Sequence, residues 1–212
     1  MDIMQDFAYK RIINEMSCLK WSDLTSEDMM AVAWGYYFFS IQFRENLEIT
    51  REMHPADAKL QQLEQEECNT SNLSPWPGVA EPGEKMNHDE FMRRALALSP
   101  VPIERSVYLQ SMGAAYLAVA RATDPLSCAL SIASYEDGGL ESVFKAMLTF
   151  RHWDNASLRA FRHFLSEHVR FDSDPDQGHG ALSRHMAPDD RVLGLWEAFR
   201  DILLRCAPAL VN

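Results

Sequence analysis

The chain has 212 residues, 47% of them hydrophobic and 24% charged, which suits one large globular domain with a substantial core and gives no sign of disorder. Acids outnumber Lys and Arg by 31 to 20, a formal charge of −11, and the bases form no run, so nucleic acid and anionic membrane surfaces are excluded as partners. Four cysteines (Cys18, Cys68, Cys128, Cys206) without a C-x-x-C pair argue against a disulfide framework or zinc ribbon. The first residues lack a signal-peptide layout, and the longest apolar run, 29–41, is broken by Gly35 and Ser40. A reducing, cytoplasmic setting without a membrane span is the expectation.

Helical periodicity runs through the chain, and convincing period-two alternation is absent. A first amphipathic helix is predicted over 6–19, with Phe7, Ile12, Ile13 and Met16 inward. Thr25 followed by Ser26, Glu27 and Asp28 reads as an N-cap with acids in the first turn, opening a helix to about residue 53. Pro55 restarts the chain into a helix over 56–68. Residues 69–87 hold Pro75, Pro77, Pro82, Gly78 and Gly83 and are expected to be one long loop. Helices follow over 88–98 and 103–122, the second with small residues Gly113, Ala114 and Ala115 that permit close helix approach. Pro125 opens the next helix, which Gly138 and Gly139 break after Glu136. A helix over 140–150, one capped by Asn155 and reaching about 171, a polar turn over 172–180 and a last helix over 188–206 complete the chain. The expected architecture is all-α: a single domain, 1–212, of about eight or nine helices.

The segment FRHFLSEHVRFDSDPDQGHGAL carries the strongest chemical signal. His168 and Asp172 are four apart and share one face of a helix, and His179 follows after a polar turn that can swing it back. Imidazole nitrogen with carboxylate oxygen is a ligand set for non-heme iron or manganese, and helical bundles build dinuclear sites from such side chains on facing helices. The competing reading makes Asp172, Asp174 and Asp176 a solvated helix end. Glu136 lies in an apolar context, ALSIASYEDGGL, where a buried carboxylate needs a partner. Glu64, Glu66 and Glu67, followed by His88 across the long loop, supply one further carboxylate and a histidine.

This order, Glu…His, a central Glu, then His-x-x-x-Asp and a closing His, resembles the heme-oxygenase-like di-iron oxidases and oxygenases. HVRFDSDPDQGHG is similar to their "H-x-x-x-D…H-G" ending, and LEQEEC…NHDEFMRRAL to their earlier "N-L-x-E-E…H-x-x-x-F-R-R" region. The resemblance covers about residues 63–182. The spacings across 69–87 and between Asp172 and His179 are longer than the family pattern. It implies a heme-oxygenase-like fold and a metal ligand set of Glu67 (or Glu66), His88, Glu136, His168, Asp172 and His179. It implies two irons per chain, or manganese in their place, and no heme. It further implies an O2-activating reaction on a small organic substrate, with Glu136 and Tyr135 in catalysis and Glu136 bridging or clamping the metals. Tyr135, Arg170 and His163 are candidates for contacts around the ligands. Pairing into a homodimer through helical faces is also compatible with it.

Two other classes remain open at this level. A metal-free enzyme of the same fold, thiaminase-like or like the quinone-cofactor oxidase, would use Tyr135 and Glu136 with Cys128. A non-enzymatic helical binding protein would use its Tyr36, Tyr37, Phe38 and Phe39 stripe as core or partner surface.

Overall fold

The computed structural model describes residues 7–67, 75–172 and 178–211, with the Asp172 side chain outside the described part. Ten α-helices are present among them: α1 Ala8–Ser17, α2 Ser26–Met53, α3 Ala58–Glu67, α4 His88–Ala97, α5 Ile103–Arg121, α6 Pro125–Glu136, α7 Gly139–Met147, α8 Ala156–Asp172, α9 His179–Ser183 and α10 Leu193–Cys206. Short 3-10 turns occupy Trp21–Asp23, Arg184–Met186, Asp190–Val192 and Pro208–Leu210. There is no strand among the described residues, only an isolated bridge between Trp76 and Ala80. Among the described residues, no helix is long and apolar enough to cross a membrane.

The expected count of about eight or nine helices is corrected to ten among the described residues. The helix absent from the sequence reading is α9, five residues inside what reads as a polar turn and its exit. Gly178 before it, Gly180 within it and the lack of an apolar period leave it without a local signal, and it is held instead by packing on α3 and α6. The last helix starts at Leu193 rather than 188, because Asp189 caps a 3-10 turn first, its carboxylate accepting from the Arg191 amide.

Helix α2 is the axis of the molecule. Its 28 residues span about 42 Å. Thr25 and Asp28 form a reciprocal capping box at its start: the Asp28 amide donates to Thr25 Oγ1 at 3.1 Å and the Thr25 amide to Asp28 Oδ2 at 3.1 Å. Apolar side chains on nearly every face let α2 pack against α4, α5, α6 and α10 together. Around Tyr36 the rings of Phe39, Phe144, Phe161 and Phe164 close at centroid distances of 5.5–5.6 Å, the edge and tilted arrangements that aromatic quadrupoles favour.

Two glycine positions fix helix placement. A Cβ on Gly113 would stand 2.1 Å from the Phe38 ring, so the close approach of α5 to α2 belongs to Gly113, while Ala114 and Ala115 face outward. Gly138 has φ +84°, and a Cβ on Gly139 would lie 2.1 Å from the Ser134 carbonyl oxygen. That turn lets α6 stop at Glu136 and α7 begin three residues later.

Part of the predicted loop, residues 69–74, lies outside the described residues. The remainder is packed rather than free. Val79, Ala80 and Met86 are buried, Trp76 stacks on His163 at 4.7 Å, and Arg94 donates to the Val79 carbonyl.

Candidate metal centre

Five residues anticipated as ligands meet at one interior region, each from a different helix. Glu67 ends α3, His88 begins α4, Glu136 ends α6, His179 begins α9, and His168 lies one turn before the end of α8. Glu67, His88, Glu136 and His179 are all buried, His179 to 1% exposure, where an ionisable group persists only with a partner.

Their donor atoms form two groups. Those of Glu67, His88 and His168 lie within 4.8 Å of one another, and so do those of Glu67, Glu136 and His179. The residue common to both is Glu67; Glu136, the residue that the resemblance makes the bridge or clamp, belongs to one group. One Glu67 oxygen, Oε2, lies 2.9 Å from His88 Nδ1, and the other, Oε1, lies 2.5 Å from His179 Nδ1. Glu136 Oε2 is 3.4 Å from the same His179 nitrogen. The His88 and His168 rings meet edge to face at 4.6 Å.

The polar atoms here are not all satisfied by one another. Among the described residues, Glu67 Oε1 and His88 Nε2 are buried without a hydrogen-bond partner, and the short approach of Oε1 to His179 lies outside hydrogen-bonding geometry. Buried polar atoms are rarely left so unless an ion or water completes them. At His168 the Phe164 carbonyl, which can only accept, takes the Nδ1 hydrogen at 2.8 Å. Nε2 is then left with the lone pair, the arrangement typical of a metal-binding imidazole.

Electrostatics point the same way. Burial first, and then the neighbouring His88, push His168 down to about 3, so it is a neutral, ligand-competent imidazole. Burial also works against the His179 cation, but Glu67 and Glu136 outweigh it and push the group up to about 12. Glu67 is held well below the usual carboxylate range: burial opposes ionisation, and His179 and His88 overcome it. Burial, partly offset by His179 and reinforced by Glu67, raises Glu136. Without metal, a proton on His179 therefore supplies the positive charge that the two carboxylates require. A divalent cation would supply it more completely, so the residues fit a metal.

The other anticipated residues fall elsewhere. Asp172 closes α8, but its side chain lies outside the described residues. Tyr135 is buried beside Glu136 yet turned away from the cluster, its ring between Phe39 and Trp196 and its hydroxyl 3.5 Å from the Gln42 side chain. Arg170 is 75% exposed and pairs with Glu167, and His163 lies against Trp76. Cys128 is buried with its thiol 3.8 Å from the Thr123 carbonyl, apart from the Glu136 cluster. Between the two neighbouring glutamates, Glu67 is the interior one. Glu66 stands at the rim, 31% exposed and 3.5 Å from His179 Nε2.

Sequence reasoning did not single out Tyr36 or Ser40 as site residues. With Phe39, Phe43 and Leu140 they line a cavity of about 10 Å3 against Glu67, His88, Glu136 and His168, room for one water-sized molecule. In sequence they are part of an apolar helix face, with no local mark that separates a cavity wall from core.

The chain matches no family model, no curated protein and no solved structure.

Proposed function

We propose that this chain is a non-heme di-metal oxidase or oxygenase of heme-oxygenase-like fold that activates O2 against a small organic substrate. The carrying observation is the buried Glu67 carboxylate shared by two separate Glu/His triads. Two-metal centres use such a shared carboxylate to hold their ions a few ångströms apart. Among the described residues the donors are imidazole and carboxylate, which favours iron or manganese over a structural zinc site. Bound iron would supply one-electron redox chemistry and an open coordination position for O2.

The chain's own residues do the rest. Glu67, His88 and His168 would hold one ion, and Glu67, Glu136 and His179 the other. The Phe164 carbonyl fixes the tautomer of His168. Phe39, Phe43 and Leu140 keep bulk water away from the small cavity, which has the dimensions of a diatomic molecule or a water. Glu66, at the exposed edge of the cluster, is placed to pass protons between solvent and His179.

Elemental analysis of protein purified aerobically, and again after anaerobic ferrous loading, tests the reading. The expected content is about two irons per chain, falling to at most about one in His168→Ala and to none in Glu67→Ala. Metal-free protein under both conditions, or equal iron in the two variants and the wild type, overturns it.

A further inference from the structure

Helix α5 has a surface unlike the rest of the molecule. No charged residue occurs between Arg105 and Arg121, in a chain that is 24% charged. Yet much of that stretch faces outward: Val107 is 60% exposed, Tyr108 53% and Val119 58%, with Ile103 just before it at 71%. Ser111, Ala114, Ala115 and Ala118 are exposed as well. Soluble surfaces normally carry interspersed charge, and large apolar side chains this exposed along one helix mark a face that is covered in the working assembly.

The spacing describes what covers it. Glu104, Tyr108, Ser111, Ala115, Ala118 and Ala122 recur at steps of four and three, a seam of the kind that pairs helices side by side. Its middle is small, so two backbones can approach to about 8 Å there. Glu104 opens the seam, and Arg121 stands beside its last position, Ala122. Glu104 makes no ion pair with its own chain among the described residues. Arg121 binds Glu45 through Nε and Nη2, at 2.9 and 2.6 Å, which leaves Nη1 to donate elsewhere.

We infer that α5 pairs antiparallel with the α5 of a second copy of this chain, about a two-fold axis level with residue 113 that sets Glu104 opposite the partner's Ala122 and beside the partner's Arg121. In that register Ser111 faces the partner's Ala115 and Tyr108 the partner's Ala118, and at each end Glu104 of one copy meets Arg121 of the other. A parallel pair would instead set Glu104 on Glu104 and Arg121 on Arg121. An isologous contact of this kind closes after two copies. Between Glu104 and Ala122 the seam is uncharged, and the repulsion between two copies of net charge −11 is screened at physiological salt. The apolar groove of about 840 Å3 beside Val107, walled by Trp34, Tyr37 and Phe38, extends the covered surface. This inference is independent of the metal centre.

Light scattering on the full chain after size exclusion tests it. The expected mass is twice the 24.2 kDa of one chain, returning to the single-chain value in Ala115→Glu with helicity unchanged by circular dichroism. Glu104→Arg and Arg121→Glu should each weaken the dimer by about tenfold or more, and the double exchange should restore it. Restoration separates cross-chain pairing from the loss of Glu45 contact, which the double variant retains. A wild-type monomer at ~100 µM would overturn the proposal and assign the face to a different partner. A dimer indifferent to Ala115→Glu would overturn it in favour of another surface, and failure of the double exchange would refute the antiparallel register.

Discussion

Glu67 carries a heavy electrostatic demand. It is 3% exposed, ionised, and set between two imidazoles. Removing one member of a buried charge set leaves the others uncompensated, at a cost of about 3–5 kcal/mol. Glu67→Gln should therefore lower the urea-unfolding free energy of the metal-free protein by about 3 kcal/mol, because Glu136 remains to balance His179 only in part. Glu66→Gln, at the exposed rim, should change it by under about 0.5 kcal/mol. Equal effects of the two substitutions would remove the distinction between interior and rim carboxylate.

At the scale of the elements, the centre is made by helix ends, and the turns that stop helices decide where ligands stand. The Gly138–Gly139 turn is the clearest case. Gly138→Ala forces a left-handed residue and should cost about 1–2 kcal/mol, whereas Gly139→Ala drives a Cβ into the Ser134 carbonyl and should cost more. Both are measurable by chemical denaturation, and the second should also reduce metal content because it displaces the end of α6. Another element-level device fastens the 75–86 segment to α4. Arg94 binds Glu84, Glu90 and the Val79 carbonyl, while Glu90 also takes two bonds from Arg93. The Arg93 hydrogen bond leads the influences that lower Glu90 to about 2. A carboxylate held down in the folded state stabilises it fully above the unfolded value near 4.5, and that contribution is lost as pH falls through this range toward 2. Wild type should exceed Glu90→Gln by less than about 1 kcal/mol at pH 7, the network being partly solvated, with the gap narrowing between pH 5 and pH 3. A gap that widened on acidification would contradict the assignment.

For the molecule as a whole, the candidate ligands tie together positions from 67 to 179, so a bound metal would act on the entire helical assembly. A ligand present at a hundred times its dissociation constant adds about 2.7 kcal/mol of stability, and a domain of this length converts each kcal/mol into about 2–4 °C. Ferrous or manganous loading should raise the thermal midpoint by about 5–10 °C, and a chelator should reverse it. An unchanged midpoint with metal bound would place that metal outside the core.

The sequence by itself determined the helices with strong local signals. Period, caps and breakers put α2 between Thr25 and Met53, opened α6 at Pro125 and ended it at Glu136, and placed the Asn155 cap, whose carboxamide oxygen accepts from the Leu158 amide. It also held the ligand types, because histidine and glutamate in apolar surroundings need a reason to be there. Only the tertiary structure chose Glu67 over Glu66, since adjacent helical residues differ by about 100° in direction and packing decides which one faces inward. It alone formed α9, whose five residues are too short to be helical without neighbours, and so buried His179. It alone turned the Tyr135 side chain away from its neighbour Glu136 and brought Tyr36 to the cavity wall. Local propensity writes itself into nearby residues, whereas convergence of side chains more than a hundred residues apart is a property of the packed core.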